Sequence, residues 1–196
     1  IERGGFDSIT ITDNGGGIIE EDLSLALDRH ATSKLRNEED LAAIGTLGFR
    51  GEALASIGMV SRLSISSRPL DQEGRTIVME DGHKGSVEPI GMAEGTRIQV
   101  EHIFENQPAR LAFQRRPATE TSRIVDVVVG HAISHPEVSF KLVSDGKTIL
   151  EVPIVEEMED RLYDLLGGQA GRMIELRPPA IDSDAPGEEK WSGWIS

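Results

Sequence analysis

Four short runs of period-two alternation lie close together in this chain: Ser61 to Ser67, Arg75 to Met79, Gly85 to Ile90 and Thr96 to Val100. Each reads as a strand. The breakers between them, Pro69, Asp81-Gly82 and Glu94-Gly95, leave too little chain for a helix. A parallel pair needs a crossover of about a dozen residues or more. The spacing therefore predicts antiparallel pairing and excludes a doubly wound parallel fold. An earlier run, Ser8-Ile-Thr-Ile-Thr12, predicts another strand, which stops at Asp13-Asn-Gly-Gly-Gly17.

Between these strands the apolar period lengthens. Leu23, Ala26, Leu27 and His30 recur at helical spacing behind Glu20, Glu21 and Asp22, acids that suit the positive end of a helix. His30 ends that stripe, where a capping or core-edge role is the simplest reading. Asn37 is placed to cap a short helix from Glu38 to Ile44, with Leu41 and Ile44 turned inward. A third helix begins near Gly51 and carries Ala53, Leu54 and Ile57, with Gly58 as its C-cap. Helices followed by a meander predict an α+β sandwich, a mixed sheet with helices on one face.

Gln107-Pro-Ala-Arg110 follows the last of these strands, and Pro117 to Glu120 open a further helix. Its apolar face is Ile124, Val127, Val128 and Ala132, and it ends before Pro136. A domain boundary is expected near residue 118, giving domains 1–118 and 119–196. In the second, Val138 to Val143 and Thr148 to Val152 flank Asp145-Gly146, a strong hairpin signal. A helix from Met158 to Leu166 follows, capped by Gly167-Gly168. The segment from Lys190 to Ser196 reads as another hairpin, in which Trp191 and Trp194 are expected to lack sheet partners.

Composition narrows the function classes. No apolar run among the 196 residues approaches the roughly 18 needed to cross a bilayer, so no membrane association is expected. The absence of cysteine and of an export signal after Ile1 fits a cytoplasmic setting. A net charge of -14 argues against a uniformly basic nucleic-acid footprint. Arg110, Arg115 and Arg116 form the one tight basic cluster, readable as solvated surface or as a local phosphate contact.

Three stretches carry chemistry. Asp13-Asn-Gly-Gly-Gly17 reads as a tight turn, or as a carboxylate at a strand end with side-chain-free backbone beside it for a planar ligand. Arg29-His-Ala-Thr-Ser-Lys34 offers two hydroxyls and a mobile ammonium. Gly48-Phe-Arg-Gly-Glu-Ala-Leu-Ala-Ser-Ile57 sets two glycines ahead of a helix, which presents free N–H groups to an anion. His131 and His135 stand four apart, but Pro136 ends their helix and no third ligand is near. No Walker A, dinucleotide or serine-hydrolase pattern occurs.

Together with Gly95-Thr96 and Pro108-Ala-Arg110, and in this order and spacing, these motifs resemble the N-terminal ATPase region of the MutL family of DNA mismatch-repair proteins. The match is closest between residues 8 and 116. The resemblance implies a Bergerat-type (GHKL) ATPase sandwich followed by an incomplete ribosomal-S5-like α/β domain. It implies ATP as cofactor, with Asp13 accepting the adenine amino group, Gly15 and Gly17 giving the base room, and Thr96 supporting that contact. Thr32, Ser33 and Lys34 would lie on a lid over the phosphates. The backbone of Gly48, Phe49, Arg50 and Gly51 would hold the triphosphate, and Leu54 would line the pocket. Separately from the resemblance, the charge cluster Arg110, Arg115 and Arg116 leaves simple DNA binding, with a steep salt dependence, as a further reading. The implied partners are a second copy, MutS, DNA and a downstream nuclease or helicase, in a bacterial cytoplasm near the nucleoid. ATP binding in such proteins orders the lid and closes a dimeric clamp.

The family places its general-base Glu and magnesium-binding Asn on a helix ahead of the first motif strand, and a phosphate-contacting lysine late in the second domain. Only twelve residues precede Asp13, so the Glu and the Asn, and with them Mg2+ binding, are expected to lie outside this chain, and the lysine is expected beyond Ser196. Glu52 reads as a helix N-terminal acid rather than a replacement base. Loss of the leading helix is expected to expose Leu23 and Leu27 to water. Alternative readings are a nucleotide-gated binding or dimerisation module without turnover, or another GHKL ATPase such as a gyrase-like protein. In a steady-state phosphate assay with ATP and magnesium, no turnover is expected from this chain. Sustained release that disappears on Lys34→Ala would contradict that.

Overall fold

The computed structural model describes residues 1–28, 52–176 and 193–195, with side chains as far as 173. His30, the helix expected over 38–44, the expected lid residues Thr32, Ser33 and Lys34, the expected phosphate-loop residues Gly48, Phe49, Arg50 and Gly51, and Trp191 lie outside the described residues. The chain divides into two compact units, Ile1–Arg123 with Ser144–Lys147, and Ile124–Val143 with Thr148–Ser196.

The first unit is built on a six-stranded sheet. Strands β1 (Ser8–Asp13), β2 (Arg62–Arg68), β3 (Gly74–Glu80), β4 (His83–Lys84), β5 (Glu88–Ile90) and β6 (Gly95–Glu101) pair in the order β1-β6-β2-β3, with β4 and β5 both on the outer edge of β3. Every ladder is antiparallel, as the short breakers require, so the sheet among the described residues is antiparallel rather than mixed. The strand expected over Gly85 to Ile90 is shorter, reduced to β5 at Glu88–Ile90, while β4 at His83–Lys84 lies ahead of the expected span. Gly85 N–H still donates to Val78 O at 2.8 Å, and the chain regains strand pairing only at Glu88, opposite Thr76 near the start of β3.

Two short helices, α1 (Glu20–Leu25) and α2 (Ala53–Gly58), pack against β3 and β2 respectively. Leu23 and Leu27 are fully buried with Leu63, Ile65, Ile77, Met79 and Val100, contrary to the expectation that they face water. Each such side chain contributes about 1.5–3 kcal/mol through burial. Gly58 is not a left-handed cap. It is the last residue of α2, buried, and a Cβ there would sit 2.5 Å from the Met79 sulfur, so the glycine serves close packing of helix on sheet. Short helix α3 (Pro108–Ala112) follows β6, and α4 (Pro117–Ser134) begins on a proline whose missing N–H costs nothing at that position. The Asp145-Gly146 turn also belongs to this unit: Asp145 N–H donates to Ile1 O at 3.0 Å and its Oδ1 accepts Arg3 N–H at 2.7 Å. That bond, with Ser144 Oγ at 3.1 Å, holds the Asp145 carboxyl below the usual aspartate range.

In the second unit, β7 (Phe140–Ser144) and β8 (Lys147–Val152) form the expected hairpin; Asp145 (φ 48°) and Gly146 (φ 77°) supply the two left-handed residues its turn needs. On α4 the less exposed face is Ile124, Val125, Val128, Val129 and Ala132, whereas Val127 is 61% exposed. At 100° per residue Val127 falls well outside the arc centred on Val128 and Ala132. Helix α5 (Met158–Leu166) is followed by a 3-10 stretch, then β9 (Ile174–Leu176), which pairs with β10 (Gly193–Ile195). The backbone of Trp194 thus has a sheet partner, Glu175, which the sequence alone did not offer.

Arg161 on α5 is wholly buried. Its Nη2 donates to Pro136 O, Val138 O and Pro153 O at 2.9, 2.9 and 2.7 Å, while Nε and Nη1 meet no acceptor. One planar group therefore ties the end of α4, the entry to β7 and the exit of β8 to α5. Arg161→Lys, which replaces the planar fork by a single ammonium, is expected to lower stability by about 2–4 kcal/mol. A urea titration reads this as a lower midpoint at unchanged slope; an unchanged midpoint contradicts it.

Candidate functional site

β1, β6 and β2 lie side by side, and their registers align Asp13 with Thr96 and Thr96 with Ser67. The three residues form a row across one end of the sheet. Asp13 is the last residue of β1, exposed, and its Oδ1 accepts Gly15 N–H at 2.9 Å and Thr96 N–H at 3.2 Å. Both bonds fall on one oxygen, which leaves Oδ2 without a protein donor among the described residues. A carboxylate pinned by one oxygen and open at the other is a directed acceptor.

The loop after Asp13 is fastened at both ends. Its start is the Asp13–Gly15 bond, and its end is Ile18 N–H donating to Ser67 Oγ at 2.7 Å. Between them a Cβ on Gly17 would lie 2.7 Å from Pro69 N and 2.8 Å from the Arg68 carbonyl carbon, so the backbone itself packs there. A Cβ on Gly16 meets nothing within 4 Å. Gly95, with φ at 113°, turns the chain into β6, and a Cβ there would overlap the carbonyl oxygen of Asp13.

Ser67 was not singled out from sequence. It is wholly buried, yet it stands in the same strand phase as Leu63 and Ile65 on the core side of β2. A serine in an apolar phase was the available signal. Thr96 is itself 7% exposed and approaches Ser67 Oγ through its own hydroxyl at 3.1 Å.

The structure thus brings together Asp13, Gly15, Gly17 and Thr96 from the sequence-predicted set. Leu54 is half-buried on α2, packed against the core cluster. Arg110, Arg115 and Arg116 are exposed and follow the opposite end of β6; the Arg110 guanidinium lies 5.6 Å from the Phe104 ring centre. A separate cleft of about 310 Å³ beside Ile18 is lined by Glu20, Pro69, Gln72, Glu73 and Arg75, and includes neither Asp13 nor Thr96. There Arg75 pairs with Glu20 at 2.7 Å and Glu73 at 3.0 Å, and Glu20 raises its guanidinium above the ordinary arginine value. The cleft is an ion-paired surface feature, not the acceptor row. Among the described residues no group of three or more His, Cys, Asp or Glu is placed to hold a metal ion. His131 and His135 stack at 6.5 Å, with Glu137 on His135 Nδ1 at 3.0 Å. No helix among the described residues is long and apolar enough to cross a membrane.

Removing the special backbone at Gly95 is expected to disturb the row. Gly95→Ala should cost about 2 kcal/mol or more, whereas Gly16→Ala should stay within about 1 kcal/mol. Thermal midpoints check the contrast, and equal effects contradict it.

The chain is 49% identical over 178 residues to the DNA mismatch repair protein MutL of Pelobacter propionicus, covering 90% of this chain. It is 40% identical over 189 residues to that of Streptococcus equi subsp. equi, covering 95%. It spans 29% of the length of each of these curated relatives. A solved structure, the Aquifex aeolicus MutL ATPase domain complexed with ADP, matches with a TM-score of 0.66 at 26% identity, over 91% of this chain and 62% of that one. No protein-family model matches the chain.

Proposed function

Since the chain belongs, over the stretch it spans, to the MutL family of DNA mismatch repair proteins and has the α+β fold of their GHKL ATPase domains, we propose that it binds ATP through the Asp13–Thr96 row and serves as the nucleotide-gripping part of an ATP-gated clamp. The observation that carries this reading is the Oδ2 of Asp13, which has no protein donor among the described residues, held at a strand end by two N–H bonds to its other oxygen. An exocyclic amino group is the donor such an oxygen suits, and an adenine ring can lie on the side-chain-free backbone from Gly15 to Gly17. The ADP in the Aquifex aeolicus domain supports a nucleotide as the ligand class.

On this reading Thr32, Ser33 and Lys34 belong to a lid over the phosphates, and Gly48, Phe49, Arg50 and Gly51 hold them through backbone N–H groups. Leu54 lines the apolar side. Residues 1–118 form the ATP-binding domain and 119–196 the start of an S5-like domain. Lid ordering would close a homodimer, couple mismatch recognition by MutS to a nuclease or helicase, and hold DNA near Arg110, Arg115 and Arg116 in a bacterial cytoplasm. ATP bound here supplies the energy of a switch. What this chain's residues do is recognise the base and fix the loop against the sheet.

Calorimetric titration with a nonhydrolysable ATP analogue tests the proposal. Asp13→Ala removes a hydrogen bond to a charged acceptor, worth about 1.5–3 kcal/mol, so binding should weaken about 10- to 150-fold. Equal affinity for wild type and variant contradicts it.

A further inference from the structure

We infer that Ser67 is a positioning residue for base recognition: it fixes the hydroxyl of Thr96 as an acceptor and holds the Gly17–Ile18 backbone against the sheet. This rests on the nucleotide reading above and adds to it a residue that never touches the ligand. The argument is a proton count. Ser67 Oγ donates its single hydrogen to Gly95 O at 3.0 Å. It accepts Ile18 N–H at 2.7 Å. Either hydroxyl could donate across the 3.1 Å contact between Ser67 Oγ and Thr96 Oγ1, and with the Ser67 proton on Gly95 O we assign the donor there to Thr96. Thr96 then has only lone pairs left to offer.

The consequence is a site with two acceptors and no side-chain donor: the open oxygen of Asp13 and the hydroxyl oxygen of Thr96, adjacent in register on neighbouring strands. A 6-amino purine presents N–H donors at that edge; a 6-oxo purine presents an acceptor, which faces a carboxylate with nothing between them. Discrimination between the two bases therefore depends on a wholly buried serine one strand further in. Were Ser67 absent, the Thr96 hydroxyl could rotate and donate outward, and Ile18 N–H would lose its acceptor.

The test uses the whole chain with ADP and GDP as probes, and amide hydrogen exchange without ligand. Ser67→Ala should reduce the ADP-over-GDP affinity ratio about tenfold, and Ser67→Thr, which keeps the hydroxyl, should restore it. In the free protein Ser67→Ala should speed exchange at Ile18 and Thr96 while the Ile65 and Ile77 amides of the β2–β3 ladder keep their wild-type rates. A purely structural role would slow or weaken both nucleotides equally and loosen the ladder too. An unchanged ratio in Ser67→Ala beside lost ADP binding in Asp13→Ala overturns the role of Ser67 alone. Wild-type chain that binds neither nucleotide overturns the nucleotide reading together with the inference built on it. Should Ser67→Ala fail to fold, Ser67→Cys fills the same space with a weak hydrogen-bonding group, and the same two readouts decide.

Discussion

A buried hydroxyl cannot be left without partners, and in this fold the one at Ser67 is met from three directions: the backbone of Ile18, the carbonyl of Gly95 and the side chain of Thr96. These bonds join a loop, a strand start and a central strand at a single atom. Because Thr96 is also paired in register with Asp13, the same junction fixes the carboxylate two strands away. The glycine loop can then be free of side chains without being free to wander, since both its ends are tied to the sheet.

That junction is continuous with the core. Leu63 and Ile65 bury their side chains beneath α1 and α2, and Ser67 is the next residue in the same phase of β2. One strand thus contributes apolar burial at one end and a polar anchor at the other. The energetic logic is separate for each: the leucine and isoleucine supply stability through area removed from water, while the serine supplies direction. Arg161 plays the directional part in the second unit, where one guanidinium gathers three carbonyls that no strand ladder satisfies.

Much of this was legible in the sequence because it is local. Alternation marked the strands, Asp145-Gly146 marked its turn, and the spacing from Met158 to Leu166 marked a helix that the structure reproduces. What was not legible depends on neighbours distant in sequence. Gly58 looked like a cap because glycine often ends helices, but it is there because Met79 leaves no room for a Cβ. Val127 looked like part of the α4 face until the arc was fixed by Ala132. The strand expected from Gly85 begins only at Glu88, because periodicity does not reveal which part of β3 the chain pairs with. In the site, Asp13 and Thr96 stood out through their flanking glycines, whereas Ser67 sat in a run of serines and became distinct only by burial. The residues expected to form the lid and phosphate loop lie outside the described residues, so the structure speaks only to the end of the sheet proposed to meet the base.

The central claim is that the Asp13–Thr96–Ser67 row is where a nucleotide base docks. Its most direct test follows the backbone amide resonances of isotopically labelled chain as ADP is added. The account predicts that Gly15, Ile18 and Thr96, the three amides bonded into the row, shift together and saturate at one affinity. Saturating ADP that moves other amides and leaves these three in place would contradict it.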